Sequence, residues 1–261
     1  MKKDLLFLVI VFISYLFSPS IQIYAFNIKN VFFVIFIIAF INFVGNLLLK
    51  YFGAKSLILL GITGGIVSST AVTLSMSSLV KENPGISKGA LGAIASATWM
   101  RNLRVLLLVL IFNVLAIRKV AFYIFIPTFL FWILTIYFLR IKVEGKTEIP
   151  SETIIKEALF FGLIYIIVKT ALKFLYSLFG NLGVYLTAFL TGFTDVDALT
   201  ISLCTSNFPL EVIAKGIALA IFSNDLIKWA YTLLGGKDFA KETWKILILP
   251  NLPMLPLIIF H

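Results

Sequence analysis

Two carboxylates that follow a glycine inside a long apolar segment are the residues best placed to do chemistry. The segment runs from Gly183 to Asn207 and is long enough to cross a bilayer as a helix. Gly192 interrupts it near the middle, and Asp195 and Asp197 come soon after. A charged side chain at this depth is costly, so it normally faces a water cavity, a bundle interior or a partner charge. The two aspartates therefore predict a polar site inside the membrane.

The spacing of these aspartates also predicts a break in the helix. Residues two positions apart on a straight helix point about 200° away from each other, because the helix has 3.6 residues per turn. Asp195 and Asp197 share one site only if the helix unwinds after Gly192. Broken membrane helices expose carbonyls that bind cations and helix N-termini that attract anions. The pattern favours a binding site for a small ion or solute.

The composition sets the class of protein around this site. Of 261 residues, 61% are hydrophobic and 13% are charged, with a mean hydropathy of +1.06. The apolar runs are continuous and long, which excludes a membrane barrel and predicts an all-α, multi-pass helical bundle in a lipid bilayer. The net charge of +10 comes from Lys and Arg at the ends of apolar runs, so no nucleic-acid partner is expected.

The chain is poor in the residues that most catalytic and metal sites use. Its one histidine is His261, and its one cysteine is Cys204. This excludes an internal disulfide, a histidine-based zinc site and a Ser-His-Asp triad. We expect no enzymatic activity and no cofactor other than a bound monovalent or divalent cation.

The apolar runs predict about nine membrane-crossing helices. We expect the first to be retained, because Ile23 makes a cut after Ala25 a poor signal-peptide site. The last is the least regular, since three prolines interrupt it. The predicted spans are residues 2–25, 29–50, 55–80, 87–115, 119–140, 157–179, 183–206, 211–235 and 244–260.

The chain repeats itself when residues 52–107 are shifted by 127 positions onto residues 179–234. Small and polar residues agree in this ungapped register, which apolar bias alone does not explain. A shift of four spans predicts parallel repeats, and one miscounted span would make them inverted. The predicted divisions are an N-terminal helix (1–28), repeat 1 (29–116), a connecting helix and loop (117–155), repeat 2 (156–243) and a C-terminal segment (244–261). The identical pairs include Gly65 and Gly192, Ala71 and Ala198, Thr73 and Thr200, Lys88 and Lys215, and Ser96 and Ser223.

Spans three and seven share one plan, in which small residues precede a polar cluster, so both helices are predicted to be broken. Spans four and eight supply partner side chains, and their small-residue stripes would pack against spans three and seven. The candidate ion- or substrate-binding residues are Asp195, Asp197, Asp225, Asn224, Ser68, Ser69, Thr70, Thr194, Arg101 and Lys228. Within this set, Asp195, Asp197 and Asp225 are the candidate metal ligands, because hard cations prefer oxygen.

Two other interpretations of the same residues stay open. In a purely structural network, Asp225 and Lys228 neutralise each other on one helix face, and Lys169 or Lys173 reaches Asp195 or Asp197. In an anion-binding site, the deep basic residues outnumber the acids and act with helix N-termini. The basic residues are Arg101, Arg104, Lys169, Lys173 and Lys228.

Two motifs carry a resemblance to a known family. They read GGIVSSTAVTLSMSS at Gly64–Ser78 and GFTDVDALTISL at Gly192–Leu203. Together with the small-residue helix after each, they resemble an uncharacterised prokaryotic membrane family. It is a domain of unknown function usually found C-terminal to MgtC/SapB-type domains. The resemblance covers about residues 30–240 and implies an integral protein of the prokaryotic inner membrane.

These observations predict a transporter or channel for a small ion or solute, linked to a cation or proton, with its site between the repeats. A non-transporting regulatory subunit is the first alternative. An intramembrane aspartyl protease, with Asp195 and Asp225 sharing a water, is the second. The Gly- and Ala-rich helix faces suit either internal packing or a homodimer.

Overall fold

The computed structural model describes residues 2–52, 56–140 and 154–260, and helices make up most of them. The loop of the predicted connecting segment, residues 141–153, lies outside these ranges. The only strands among the described residues are the two-residue pair β1 (Gln22–Ile23) and β2 (Phe26–Asn27), which form an antiparallel hairpin. The helices are α1 (Lys2–Phe17), α2 (Ile28–Phe52), α3 (Leu57–Glu82), α4 (Ser87–Phe112), α5 (Ile117–Leu139), α6 (Ile154–Phe179), α7 (Asn181–Gly192), α8 (Val196–Cys204), α9 (Leu210–Thr232), α10 (Lys237–Leu247) and α11 (Met254–Phe260).

Five helices of the described residues, α2 to α6, are long and apolar enough to cross a membrane. Their outer faces expose large apolar side chains, such as Phe125 on α5 and Phe160 on α6. The protein is therefore a membrane-embedded helical bundle, as its composition predicts.

Three other predicted spans are shorter or divided in the structure. Helix α1 has 16 residues and ends before Pro19, so it is shorter than the predicted span 2–25. The predicted span 183–206 is divided between α7 and α8, with 12 and 9 residues. The predicted span 244–260 contains the end of α10, a short 3-10 turn and the seven residues of α11. Nine crossings stay a prediction.

Both predicted breaks are present. Helix α3 has one residue with extended backbone, Ser68, at φ −157° and ψ 107°. The chain leaves α7 at Gly192 and enters α8 at Val196, with Asp195 extended at φ −151° and ψ 112°. The sequence prediction of broken third and seventh helices is confirmed.

Small residues let the broken helices lie against α4 and α9. A Cβ added to Gly65 would lie 2.6 Å from the Cα of Ala97, and one added to Gly192 would lie 2.5 Å from the carbonyl oxygen of Ala220. At such distances, only the hydrogen atom of glycine fits between the two helices. Helix α3 is therefore in backbone contact with α4, and α7 with α9. This contact brings the side chains of α4 and α9 to the two breaks.

Candidate functional site

Both helix breaks open onto one cavity of about 450 Å³. Helix α3 contributes Ser68, Ser69 and Thr70 to its lining, and the end of the α7–α8 link contributes Thr194 and Asp195. Residues predicted from two separate segments of the chain thus share one space.

Further predicted side chains complete this lining. They are Asp197 from α8, Arg101 from α4 and Asn224 from α9. Asp225 and Lys228 do not belong to the lining, and they lie behind Arg101 in a buried network.

Each break is capped by the side chain of its extended residue. The Oγ of Ser68 accepts from the amide of Ala71 at 3.2 Å. The Oδ1 of Asp195 accepts from the amides of Asp197 at 2.8 Å and Ala198 at 2.9 Å. These caps satisfy the amide of the third residue after the first break, and those of the second and third residues after Asp195 at the other break. One cap is a neutral hydroxyl, whereas the other is a carboxylate.

Arg104 joins the two breaks. Its Nη2 lies 2.7 Å from Oδ2 of Asp197 on α8. Its Nη1 donates to the carbonyls of Ile66 at 2.6 Å and Val67 at 2.8 Å, just before Ser68. In an unbroken helix these carbonyls accept from amides four residues later. One guanidinium therefore binds the carbonyls freed by the first break and the acid that follows the second.

This ion pair leaves one buried polar atom on each partner without a hydrogen bond. Oδ1 of Asp197 and Nε of Arg104 are buried and have no hydrogen-bond partner among the described residues. The Asp197 side chain is only 8% exposed. Buried polar atoms are normally hydrogen-bonded, so an orphan carboxylate oxygen at a cavity wall is a candidate contact for a ligand or water.

Asp225 is held by side chains from three parts of the chain. Arg101 binds it through both guanidinium nitrogens, at 2.8 Å to Oδ1 and 2.9 Å to Oδ2. Lys228 donates to Oδ1 at 3.0 Å, and Asn251 donates to Oδ2 at 2.9 Å. Arg101 is 1% exposed, and Asp225 and Lys228 are fully buried. Both oxygens of this carboxylate are therefore engaged.

Asn224 connects this network to the second break. Its Oδ1 accepts from Nη1 of Arg101 at 2.9 Å, and its Nδ2 donates to the carbonyl of Gly192 at 2.9 Å. The last carbonyl of α7 is thus capped by a side chain whose other end binds Arg101. The cavity wall at Arg101 is fixed in place by the Asp225 network behind it.

The predicted metal site of Asp195, Asp197 and Asp225 is not formed. In the parts of the chain that the structure describes, no three Asp, Glu, His or Cys side chains are grouped to hold a metal ion. The reason is that Asp225 is paired with Arg101 and Lys228, while Asp197 is paired with Arg104.

The lysines that could have neutralised the aspartates lie elsewhere. Lys169 donates to the carbonyl of Ser202 at 3.1 Å and to Thr205, so it binds the C-terminal end of α8. Lys173 donates to the carbonyl of Tyr24 at 2.6 Å in the hairpin after α1. The part of the structural alternative that pairs these lysines with Asp195 or Asp197 is wrong, whereas the Asp225–Lys228 pair that it also predicted is present.

Four polar or charged residues of the cavity wall were not among the candidate ion- or substrate-binding residues: Asn42 on α2, Arg104 on α4, which only the anion-binding interpretation named, and Lys156 and Glu157 on α6. Asn42 donates to Oε2 of Glu157 at 3.0 Å. Arg104 had a usable signal, because it lies three residues after Arg101 and so falls on the same helix face. The other three carry no such signal, since only the tertiary packing of α2 and α6 brings them to the breaks.

A comparison with known protein families places most of the chain in one family. Residues 36–236 match the family described as Domain of unknown function (DUF4010). The chain belongs to this family. The DUF4010 match contains both breaks, the cavity and the Asp225 network except Asn251.

One relative of similar length is a protein of Aquifex aeolicus (strain VF5) with the name "Uncharacterized protein". It is 32% identical over 203 residues, which cover 74% of this chain and 88% of the relative. No solved structure matches the chain. The resemblance to a domain-of-unknown-function family is confirmed, whereas its association with MgtC/SapB-type domains stays a prediction.

Proposed function

We propose that this DUF4010 protein carries a small ion or solute across the membrane, with movement linked to a cation or proton. The observation that carries the proposal is the meeting of two helix breaks at one charged cavity. Transporters place their sites where discontinuous helices present free backbone groups to a water-accessible space. Asp195 and Asp197 are the candidate sites for the cation or proton.

The predicted internal repeat supports this proposal. The 127-residue register puts Ser68 on Asp195, and the two residues have nearly the same backbone angles. It also puts Ala71 on Ala198, and both amides donate to the capping side chain three residues earlier. Two copies of one unit, each with a break at the same position, are a common plan for transporters.

The reach of the cavity is a second support. Lys156 and Glu157 lie in the first turn of α6, at one end of a helix long enough to cross the membrane. The cavity therefore extends from the breaks toward one membrane surface. On its other side, Arg101 and the buried Asp225 network form a closed wall. In each of its states, a carrier needs a binding site that is open to one side of the membrane and closed to the other.

A protease role has less support. An aspartyl protease needs two carboxyls that share a proton and a water. The Asp225 carboxylate is occupied on both oxygens by Arg101, Lys228 and Asn251. It has no free lone pair directed at Asp195, so we propose no hydrolytic activity.

The proposal is tested by flux into liposomes that contain the purified protein. The screen covers monovalent cations, divalent cations, protons and small neutral solutes. We expect Asp197→Asn to lower the flux by about tenfold or more, because it removes the charge beside the cavity and unpairs Arg104. The matched control is Glu242→Gln, which breaks an exposed ion pair with Lys245 on α10.

Folding of each variant is checked by gel filtration and thermal unfolding in detergent. Full flux through a folded Asp197→Asn protein would contradict the role of this acid. An absence of flux for every probe in the wild-type protein would overturn the transport proposal itself.

A further inference from the structure

The charges around the cavity balance. Its lining contains three basic side chains and three acidic ones, and the Asp225 network behind Arg101 adds one further charge of each sign, Asp225 and Lys228. A cavity with this balance does not favour a bare cation or a bare anion, because either would leave a net charge at low dielectric. A ligand that carries both signs, or neither, preserves the balance. The six residues are Arg101, Arg104, Lys156, Glu157, Asp195 and Asp197.

One wall of the cavity is suited to a positive group. Asp197 presents the orphan Oδ1, and its side chain is more than nine-tenths buried. Its other oxygen is held by Arg104, so the carboxylate cannot rotate away. An ammonium group that donates to this oxygen would satisfy the buried acceptor.

The α3 break supplies the negative-group site. Arg104 takes the carbonyls of Ile66 and Val67, the usual helical acceptors for the amides of Thr70 and Ala71. The Ala71 amide is satisfied by Ser68, and the first two residues of this 14-residue segment, Ser69 and Thr70, line the cavity. A helix N-terminus beside an arginine binds a carboxylate well.

The second break contains the kind of group that we expect the helix N-terminus at the first break to bind. At the equivalent position, the carboxylate of Asp195 itself binds the N-terminal amides of α8. At the α3 break the protein provides only the hydroxyl of Ser68. The first N-terminus therefore lacks the negative group that the chain supplies to the second.

We propose that the ligand of this cavity is a small zwitterion of the amino-acid class. Its carboxylate binds the helix N-terminus at Ser68–Thr70 beside Arg104, and its ammonium group binds Asp197. Ile38, Phe160 and Phe161 line the remaining wall and accept an apolar substituent. This inference rests on the proposed transport function and names its substrate class.

The test compares three probes of matched size by calorimetry on the detergent-purified protein. L-alanine carries both groups, propionate lacks the ammonium group, and ethylammonium lacks the carboxylate. Binding is measured instead of flux because propionic acid and ethylamine cross lipid unaided. We expect L-alanine to bind at least about tenfold more tightly than either of the others. Labelled L-alanine should also accumulate in liposomes.

A variant with an added negative charge at the α3 break provides a second test. Ser68→Asp gives this break the carboxylate that Asp195 gives the other, so it should weaken L-alanine binding by about tenfold or more. The same variant should bind ethylammonium at least as well as the wild type does. Ser68→Asn, which matches aspartate in size without its charge, should lose much less L-alanine affinity. Glu242→Gln should bind all three probes as the wild type does.

The outcomes separate this inference from the proposed function. Equal binding of propionate and L-alanine, or binding of Na⁺, K⁺ or Mg²⁺ in place of L-alanine, would overturn the zwitterion while leaving transport of an ion in place. If Ser68→Asp does not fold, the three-probe comparison on the wild type decides alone. If neither ions nor L-alanine enter liposomes, the transport proposal fails as well.

Discussion

At the scale of single residues, Asp225 has the largest structural role in the polar interior. It is the ion-pair partner that Arg101 and Lys228 share, two basic side chains with essentially no exposed surface. A buried charge without a partner costs several kcal/mol, so removing one acid leaves two such costs. The acid therefore sets the position of Arg101, and through it one wall of the cavity.

Two substitutions in this network should lower stability by unequal amounts. Asp225→Asn leaves Arg101 and Lys228 without a counter-charge and should cost about 3–5 kcal/mol of unfolding free energy. Lys228→Met keeps the apolar stem and leaves Arg101 bound to Asp225 through both nitrogens, so its cost should stay below about 1.5 kcal/mol. Thermal unfolding in detergent compares the two. A larger loss for Lys228→Met would show that the lysine, and not the acid, holds the network together.

Residue types, their depth and the Asp225–Lys228 pair within α9 were predictable, but pairing between helices was not. The sequence places three acids in apolar segments, which predicts that each faces a polar environment. It does not state that Arg104 binds Asp197 while Arg101 binds Asp225. Both arginines lie on one face of α4, and the choice between acids depends on the relative rotation of α4, α8 and α9. The contact between Asn251 and Asp225 was even less predictable, because only the packing of a C-terminal turn brings Asn251 to this acid.

At the scale of elements, close contact of two backbones positions the second break. A Cβ added to Gly192 would lie 1.9 Å from Oγ of Ser223 and 2.5 Å from the carbonyl oxygen of Ala220. Glycine is therefore required at the end of α7 by the approach of α9, independently of backbone freedom. The small-residue pattern around Gly192 predicted this packing correctly from the sequence alone.

A methyl group at this contact should separate the two helices. Gly192→Ala should cost about 1–3 kcal/mol of unfolding free energy, because overpacking a tight interface moves backbone as well as side chains. Adding Ser223→Ala should not restore the loss, since the Ala220 carbonyl remains in the way. The measurement is thermal unfolding in detergent, together with flux.

The control for this prediction is Gly85→Ala in the short turn between α3 and α4. The atom nearest to its added Cβ is Oδ1 of the exposed Asn83, at 3.2 Å, and this side chain can move. Its cost should stay within about 0.5 kcal/mol. Equal losses for the two variants, or full rescue by Ser223→Ala, would contradict backbone contact as the cause.

At the scale of the whole molecule, the relation between the two halves follows from how many helices cross between them. The four helices from α3 to α6 are all candidate membrane spans, and α7 begins directly after them. An even number of crossings returns the chain to the same side. Four crossings would set helix α3 and the α7–α8 pair in the same direction, as the parallel repeats predicted from the register require. Propensity and hydropathy alone cannot establish this, because a short or polar helix can cross or turn back.

Parallel repeats make a definite prediction for two exposed loops. Glu82 ends α3 and Asn207 follows α8, so both loops should lie on the same side of the membrane. Single cysteines are introduced as Glu82→Cys and Asn207→Cys. The natural cysteine, which is buried, is replaced by Cys204→Ala so that each variant has one thiol. A membrane-impermeant maleimide added to sealed vesicles of one orientation should label both variants or neither. Labelling of one variant alone would show either that the halves are inverted or that the α7–α8 pair does not cross the membrane completely. The two breaks would then enter the cavity from opposite directions.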